Sequence, residues 1–597
     1  MLIRVLNRLF RRAVSRPVLL AVAFAPVTSF GVTILSGPTF TKAGTNAPLA
    51  GTLALTTDEP SRVSASWTDG TNTWTRSFYN YKTSHAIPLF GFKPGRTNAI
   101  TVTVHDKDRN EMTAGQPVTF VTSPLPTNFP NITLLHGEPD RMEPGYTLFR
   151  PGVRNDTYWY GVIVDNTGDV VWYGAIPSTA DVRQLPNGNL FMPWKTNFIE
   201  LDLLGNVVRN WIPPGNLPVN LHDGVPTDHN TILYLSNTNR VLTNYPSSMT
   251  VSNPPTGTAV VRYEKIVEIS TTNASTVLNI WSPFNVLDPW RTTYLISYFA
   301  GWDSEHCNGV IEDPRDNSLI ISMRHQNAVV KIDRDTGELK WILGPHNGWK
   351  APWEPYLLTP EGEEFQWQFA QHNPVLTPHG TLLMFDNGNY RASPFEPIVS
   401  ATNYYSRAVE YEIDEENMVV RQVWDYGRTN MPERIYVDHE GGVEWQPKTG
   451  NVLVDFAAVN YVNGVAPSTN GPNNWMIRIQ EVTHDTVPDV VFDLAVSMYA
   501  KTNTTFKDTY AYRANRIPDL YSTQAKAVED LSVTYDTVEP LLQFSADPTR
   551  TYVIEASEDL QVWQNIGDAT SLGDGLFEFT DANAASYPAR YYRVVTE

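Results

Sequence analysis

The sequence predicts an all-β protein: a six-bladed β-propeller, preceded by an immunoglobulin-like β-sandwich and followed by a small C-terminal β module. Three observations carry that expectation. The stretch Trp302 to Gly344 reads as four short strands separated by Asp/Asn/Gly-rich turns, which is the hairpin signature. Four strands in about 40 residues is the size of one propeller blade. The phrase that opens this stretch also recurs along the chain. Finally, 597 residues are too many for one core, and the chain is rich in Trp, Tyr, Pro, Asn and Thr with few long amphipathic helical patterns.

Within that blade, Asn308 to Ile311 enters and Ser318 to Met323 returns after the turn Glu312-Asp313-Pro314-Arg315-Asp316-Asn317. Ala328 to Ile332 and Glu338 to Leu343 follow, joined by Arg334-Asp335-Thr336-Gly337. His306 and Asn308 open the innermost strand, two positions apart and so on one face. Leu221-His222-Asp223-Gly224-Val225-Pro226 precedes the strand Ile232 to Leu235, and Gln371-His372-Asn373-Pro374-Val375-Leu376 precedes Leu382 to Phe385. In both, the next strand starts ten residues after the histidine; from His306 to Leu319 it is thirteen, because the turn is longer. Val182 to Leu190, and Gly442 to Pro447 running into Val452 to Val454, are copies without a histidine. Gly161 to Trp172 supplies an outer-strand phrase. Five blades are explicit, and a sixth is expected from strands borrowed at the far ends of the array.

The chain divides in order. Residues 1–31 form a secretory signal: five arginines and no acid, the apolar run Val18 to Ala25, then small residues at Ser29 and Gly31. The run is too short to span a bilayer, and Arg11-Arg12 lacks the rest of a twin-arginine consensus, so general export to the periplasm or cell surface is expected. Residues 32–125 alternate as strands, among them Val63 to Trp67 and Ile100 to Val104, and fit a small sandwich. Ser123-Pro124-Leu125-Pro126 is the linker, and residues 127–525 are the propeller. Its long insertions, Asn237 to Tyr263 and Gly344 to Phe365, are placed to build a binding face. Residues 530–597 resemble the small β modules appended to many secreted bacterial proteins.

The formal charge is −20; without the five leader arginines it is 39 cationic against 64 acidic side chains, or −25. Such a chain repels phosphate backbones, which argues against a nucleic-acid partner. Cys307 is the single cysteine, so no intrachain disulfide can form.

His222, His306 and His372 hold the same repeat position in three blades, and equivalent positions on inner strands face one central channel. Unsatisfied buried polar groups cost about 1–3 kcal/mol each, so three imidazoles there imply a use. Two uses fit: a three-histidine metal site, or a nucleophile with proton-handling and anion-binding neighbours. Arg324, just past the strand that follows His306, is the natural anion clamp, and Asn308 can bind the same anion. A permanent cation beside the histidines favours an oxyanion over a metal. The acids adjacent to repeat histidines, Asp223 and Glu305, are expected to point away from the face the histidines use.

The segments Asn317 to Ile332, Trp341 to Gly344, Gln371-His372, Phe385-Asp386-Asn387-Gly388, Ser406 to Tyr411 and Gln422 to Gly427 resemble the bacterial arylsulfate sulfotransferases. The resemblance implies a six-bladed propeller behind an N-terminal β domain. It implies transfer of a sulfuryl group from an aryl sulfate to a phenol through a ping-pong sulfohistidine, with no nucleotide cofactor; that no metal takes part is expected from the charge of Arg324 and the placement of the acids. Carried over by motif, His372 is the nucleophile. His306, Asn308 and Arg324 bind and polarise the sulfuryl oxygens, His222 completes the site, and a neighbouring histidine protonates the leaving phenolate. Enteric relatives carry a cysteine pair near the site, which this chain cannot. The partners implied are an aryl sulfate donor and a phenolic acceptor, with no membrane span and a homodimer left open. The alternatives are a secreted metal-dependent hydrolase or oxidase on the same propeller, or a propeller that binds without catalysis.

Overall fold

The structure, a computed structural model, describes residues 3–6 and 31–596 apart from 107–109, 154–159, 177–180, 249–250, 252, 295–296, 299–300, 430, 466–474, 500–505, 522–528, 535–538, 547–549, 574 and 588. The leader expected over 1–31 thus falls largely outside the described residues. The chain is all-β, 55% strand and 3% helix. Among the described residues the helices are single 3-10 turns, and no helix is long and apolar enough to cross a membrane.

Residues 34–121 form one continuous hydrogen-bonded sheet of six strands. The long strand Gly51–Thr68 pairs with Ile34–Lys42 along its first half and with Thr97–His105 along its second, with Thr73–Leu89 beside both. Its alternation of buried and half-buried positions folds the sheet over Leu53, Val63, Trp67, Phe92 and Val102. The two separate sheets of a sandwich are not what the hydrogen bonding records, because this one strand runs through both halves.

Six sheets follow between Asn131 and Ile517. The first joins Tyr146–Val153, Tyr160–Val164 and Val170–Ala175 to the remote strand Thr509–Ile517. The second is Arg183–Gln184, Leu190–Trp194, Asn197–Leu201 and Val207–Trp211, and the third is built on Gly224–Pro226, Thr231–Pro246, Thr256–Ser270 and Val277–Trp281. The fourth is Cys307–Asp313, Ser318–Met323, Ala328–Asp333 and Leu339–Leu343, within a residue or a few of the sequence expectation. The fifth holds His372–Leu376, Leu382–Asp386, Arg407–Asp414 and Val419–Tyr426, and the sixth holds Gly442–Trp445, Val452–Val462, Met476–Val482 and Val490–Tyr499. Asn131–Gly137 adds to the outside of the sixth.

A separate apolar core fills each space between consecutive sheets. Trp172 meets Leu190 between the first and second, and Phe198 meets Tyr234 between the second and third. Ile266 meets Ile321, Leu343 meets Met384, and Phe385 meets Phe456 in the next three spaces. Leu494 meets Phe149 between the sixth and the first. Fully burying one such side chain contributes about 1.5–3 kcal/mol, and the strand Leu382–Asp386, buried along its whole length, opens with four consecutive apolar residues.

Hydrogen bonds between side chains and neighbouring first strands join these sheets on the inside. Asn515 donates to Val182 O at 2.9 Å, Arg183 to Asp223 at 2.8 Å, and Val310 N to Asp223 at 3.0 Å. Asn308 Nδ2 donates to Gln371 O at 2.8 Å, Asn373 Nδ2 to Val443 O at 2.6 Å, and Arg516 N to Glu444 at 2.6 Å. The last link returns to the first sheet.

Beyond residue 528, seven strands and the N-terminal strand Ile3–Leu6, which pairs with Ala589–Thr596 although it lies in the expected leader, form two four-stranded sheets that close over Leu542, Phe544, Tyr552, Ile554, Phe577 and Tyr592.

Candidate functional site

The three repeat histidines stand at the N-terminal ends of three inner strands. His222 lies two residues before Gly224–Pro226, His306 immediately before Cys307–Asp313, and His372 is the first residue of His372–Leu376. His306 has a left-handed backbone, φ 49°, as do Ala370 and Asn373 on either side of the Gln371-His372 pair. Such conformations cost of order 1–3 kcal/mol each in non-glycine residues and gather at functional sites. Because the strand begins at Cys307, His306 and Asn308 are not related by simple strand alternation.

His306 sits in a stack. Its ring centroid is 4.3 Å from that of His325 and 4.5 Å from that of His222, and Tyr512 lies beyond at 6.2 Å from His222. His306 Nδ1 is 2.7 Å from Asp303 Oδ2. His325 Nδ1 donates to Asp303 O at 2.8 Å, which leaves its Nε2 to accept from Arg324 Nη1 at 2.9 Å. Arg324 Nη2 donates to Asp438 O at 2.9 Å. Arg324 Nε and His222 Nδ1 are buried without a partner among the described residues. The guanidinium is therefore fixed by acceptors on one side and has an unused donor.

His372 is 3% exposed. Its Nδ1 lies 2.6 Å from Asn387 Oδ1 and 3.1 Å from Ala370 O. Both are acceptors, so Nδ1 carries the hydrogen and Nε2 keeps its lone pair. Asn308, fully buried, spends one N–H on Gln371 O and so ties the His306 strand to the His372 strand. Arg513 reaches in from Thr509–Ile517 and donates to Asp181 at 2.9 Å and to Asn308 O at 3.0 Å.

Burial holds every one of these imidazoles below its ordinary pKa. His222 is pushed down to about 4, and His306, His325 and His372 well below 6.5, with Arg324 adding to the effect on each. The histidines are therefore neutral at pH 7. Behind Asp303, burial pushes Glu264 and Glu305 upward, Glu305 to about 8.

Asp223 and Glu305 face away from the histidines, Asp223 toward Val310 N and Arg183, Glu305 toward Glu264 N. The carboxylate that does meet a histidine is Asp303, which the spacing argument passed over. Asp303, His306 and His325 bring one ligand atom each within 4.8 Å of one another. The donor set does not suit a cation. His325 uses both nitrogens in hydrogen bonds, one of them to the Arg324 guanidinium, and His306 Nδ1 is taken by Asp303. A bound cation would have to displace Arg324, against a repulsion that grows as water is excluded. Activity is accordingly expected to survive extended dialysis against a chelator, with substoichiometric metal by elemental analysis. Stoichiometric zinc or copper, with activity lost on its removal and restored on its return, would reverse that assignment.

Fold and site together define a class: an all-β protein whose inner strands carry a buried, neutral, multi-histidine centre beside a fixed guanidinium. The chain belongs to the arylsulfotransferase (ASST) family, whose sequence profile matches residues 103–507. The arylsulfate sulfotransferase AssT of Escherichia coli O6:H1 is 29% identical over 298 residues, covering 41% of this chain and 47% of that protein. AssT of Lelliottia amnigena is 27% identical over 297 residues, with the same coverages. The matched region thus spans about half the length of these curated relatives. A putative 6-phosphogluconolactonase from Bacteroides fragilis aligns over 77% of this chain and 98% of its own, at 9% identity and a TM-score of 0.28, too low to carry an argument.

Sequence reasoning missed Asp303, His325, Asn387 and Arg513 as parts of the centre. Asn387 had a local signal, since it follows the strand Leu382–Asp386 that pairs with the His372 strand. Arg513 had none; it lies 205 residues from Asn308.

Proposed function

We propose that this protein is an arylsulfate sulfotransferase that moves a sulfuryl group from an aryl sulfate to a phenol, by a ping-pong path through a sulfohistidine at His372. The observation that carries this reading is the fixed tautomer of His372: its Nε2 is a neutral nucleophile in a buried site that also holds Arg324. Nε2 attacks sulfur, and the phenolate leaves with the electron pair of the broken S–O bond. Arg324 offsets charge on the sulfuryl oxygens, aided by His222 and by the second N–H of Asn308. His306, whose Nδ1 is oriented by Asp303, is the neighbouring histidine that takes the proton of the incoming phenol. It returns that proton to a phenolate when the reaction runs backward. The family match and the AssT relatives support the donor and acceptor classes.

The fold reading that goes with this function is a six-bladed propeller over 127–525. It is supported by six sheets with a core in each space and by inner links that return to the first sheet. Residues 32–125 and 530–597 are separate β units, and export by a signal over 1–31, to the periplasm or cell surface, is part of the proposal.

Release of a phenol chromophore from an aryl sulfate, with and without an added phenol, tests the activity. Stimulation by the acceptor, with its sulfate ester as product, is the expected result. No release with any aryl sulfate overturns the reading. The pH profile tests the neutral nucleophile. A histidine whose pKa is depressed keeps its lone pair below pH 6.5 and loses it only as pH falls through the lowered value. Turnover on the donor should therefore stay level from pH 7 down past 6.5, with its acid limb beneath that point. A limb centred at or above 6.5 would contradict the burial argument.

A further inference from the structure

Asn387 is fully buried, and its amide is oriented without ambiguity. Nδ2 faces two backbone carbonyls, Val437 O at 3.1 Å and Glu440 O at 2.9 Å. Carbonyls only accept, so the NH₂ end must lie there and Oδ1 must face His372 Nδ1 at 2.6 Å. Its backbone is fixed too: Asn387 O accepts from Ser406 Oγ at 2.8 Å, and the same hydroxyl accepts from Val437 N at 2.9 Å. The strongest influences on His372 besides burial are Arg324, Asn387, His222 and Arg513, none of them a carboxylate. A positive charge on His372 in turn disfavours one on His306.

We propose that Asn387 is a positioning residue that, as a neutral acceptor, holds His372 with the hydrogen on Nδ1 and keeps the sulfurylated ring cationic, so that the sulfuryl group stays transferable. The inference rests on the reading of His372 as the sulfuryl carrier. In the first half-reaction the Nε2 lone pair forms the N–S bond, the S–O bond to the aryl group breaks, and the phenolate departs with its electron pair. The ring retains the hydrogen on Nδ1, because neither an amide oxygen nor Ala370 O can take a proton. The product is an N-sulfoimidazolium, a cationic ring bearing a sulfonate. In the second half-reaction the phenol oxygen bonds to sulfur as its proton passes to a neighbouring histidine, the N–S electrons return to Nε2 of His372, and a neutral imidazole leaves. A carboxylate at 387 could instead remove the Nδ1 proton as positive charge develops. That would leave a neutral N-sulfoimidazole, from which transfer must expel an imidazolate.

The test is Asn387→Asp, read by rapid-mix phenol release, by intact mass and by steady-state transfer to an added phenol. The expected result is a burst of phenol close to one per enzyme, an adduct that persists, and steady-state transfer lowered by about 10–100-fold, the size of effect seen when the hydrogen-bond partner that orients a metal-ligating histidine is changed. The acid limb of the burst should move to higher pH, since a carboxylate now faces His372 where Arg324, Arg513, His222 and His306 otherwise act. An adduct that turns over as fast as in wild type, or a burst and steady state slowed in equal proportion, overturns the inference. No adduct in wild type at all would instead overturn the role of His372. Should the aspartate variant fail to fold, ¹⁵N-histidine spectra of the wild type decide the matter. The signal lost in His372→Asn should show a protonated Nδ1 and a bare Nε2, and the opposite tautomer rejects the proposal.

Discussion

His372→Asn is expected to abolish release of the phenol from an aryl sulfate, and not only its passage to an acceptor. If His372 Nε2 is the nucleophile, the donor bond cannot break without it, whereas a residue serving only the acceptor would leave slow donor cleavage behind. The variant should fold. The side chain is buried, but asparagine can still use a polar atom toward Asn387 and Ala370 O, the two partners of Nδ1. Removing a covalent nucleophile eliminates a path rather than weakening it, so the loss should reach the limit of detection. Donor-treated wild type should gain the mass of one sulfuryl group, mapped to the peptide containing His372. Near wild-type turnover in His372→Asn, or label on a different residue, would show that the nucleophile is elsewhere.

Arg324→Ala should lower turnover by a hundred- to thousand-fold, about 2.7–4 kcal/mol, the usual effect of removing a preorganised oxyanion donor. Two structural facts make the effect large. The guanidinium is held by His325 Nε2 and Asp438 O, so it does not reorganise during reaction, and its Nε is buried with no partner among the described residues. Arg324→Lys should rescue poorly, because an ammonium cannot span His325 and Asp438 and still present a donor to the sulfuryl group. The loss should appear mainly in kcat, since charge on the transferring oxygens grows toward the transition state. A folded Arg324→Ala enzyme losing less than about threefold would assign that stabilisation to another group.

What the sequence determined by itself was local. Short, mostly apolar runs bounded by Asp/Asn/Gly turns placed Ser318–Met323 and Leu382 to Phe385, because a short strand and the turn that ends it are set by neighbouring residues. The recurrence of one phrase placed His222, His306 and His372 at equivalent points, and Arg324 next to one of them. What only the tertiary structure decided was how those points are completed by distant chain. Thr509–Ile517 pairs with Tyr146–Val153 and Asn131–Gly137 with Val490–Tyr499, pairings that leave no local period to read. With Thr509–Ile517 comes Arg513, whose guanidinium meets Asp181 and Asn308 O. The left-handed turn at His306 replaces the strand geometry that alternation predicts and sets its ring between His222 and His325. The choice of Asp303 over the adjacent Glu305, and of Asn387 to orient His372, follows from which polar atoms are buried together. A buried polar group must find its partner wherever the fold brings one, and for the histidines of this site that partner is supplied by packing rather than by spacing along the chain.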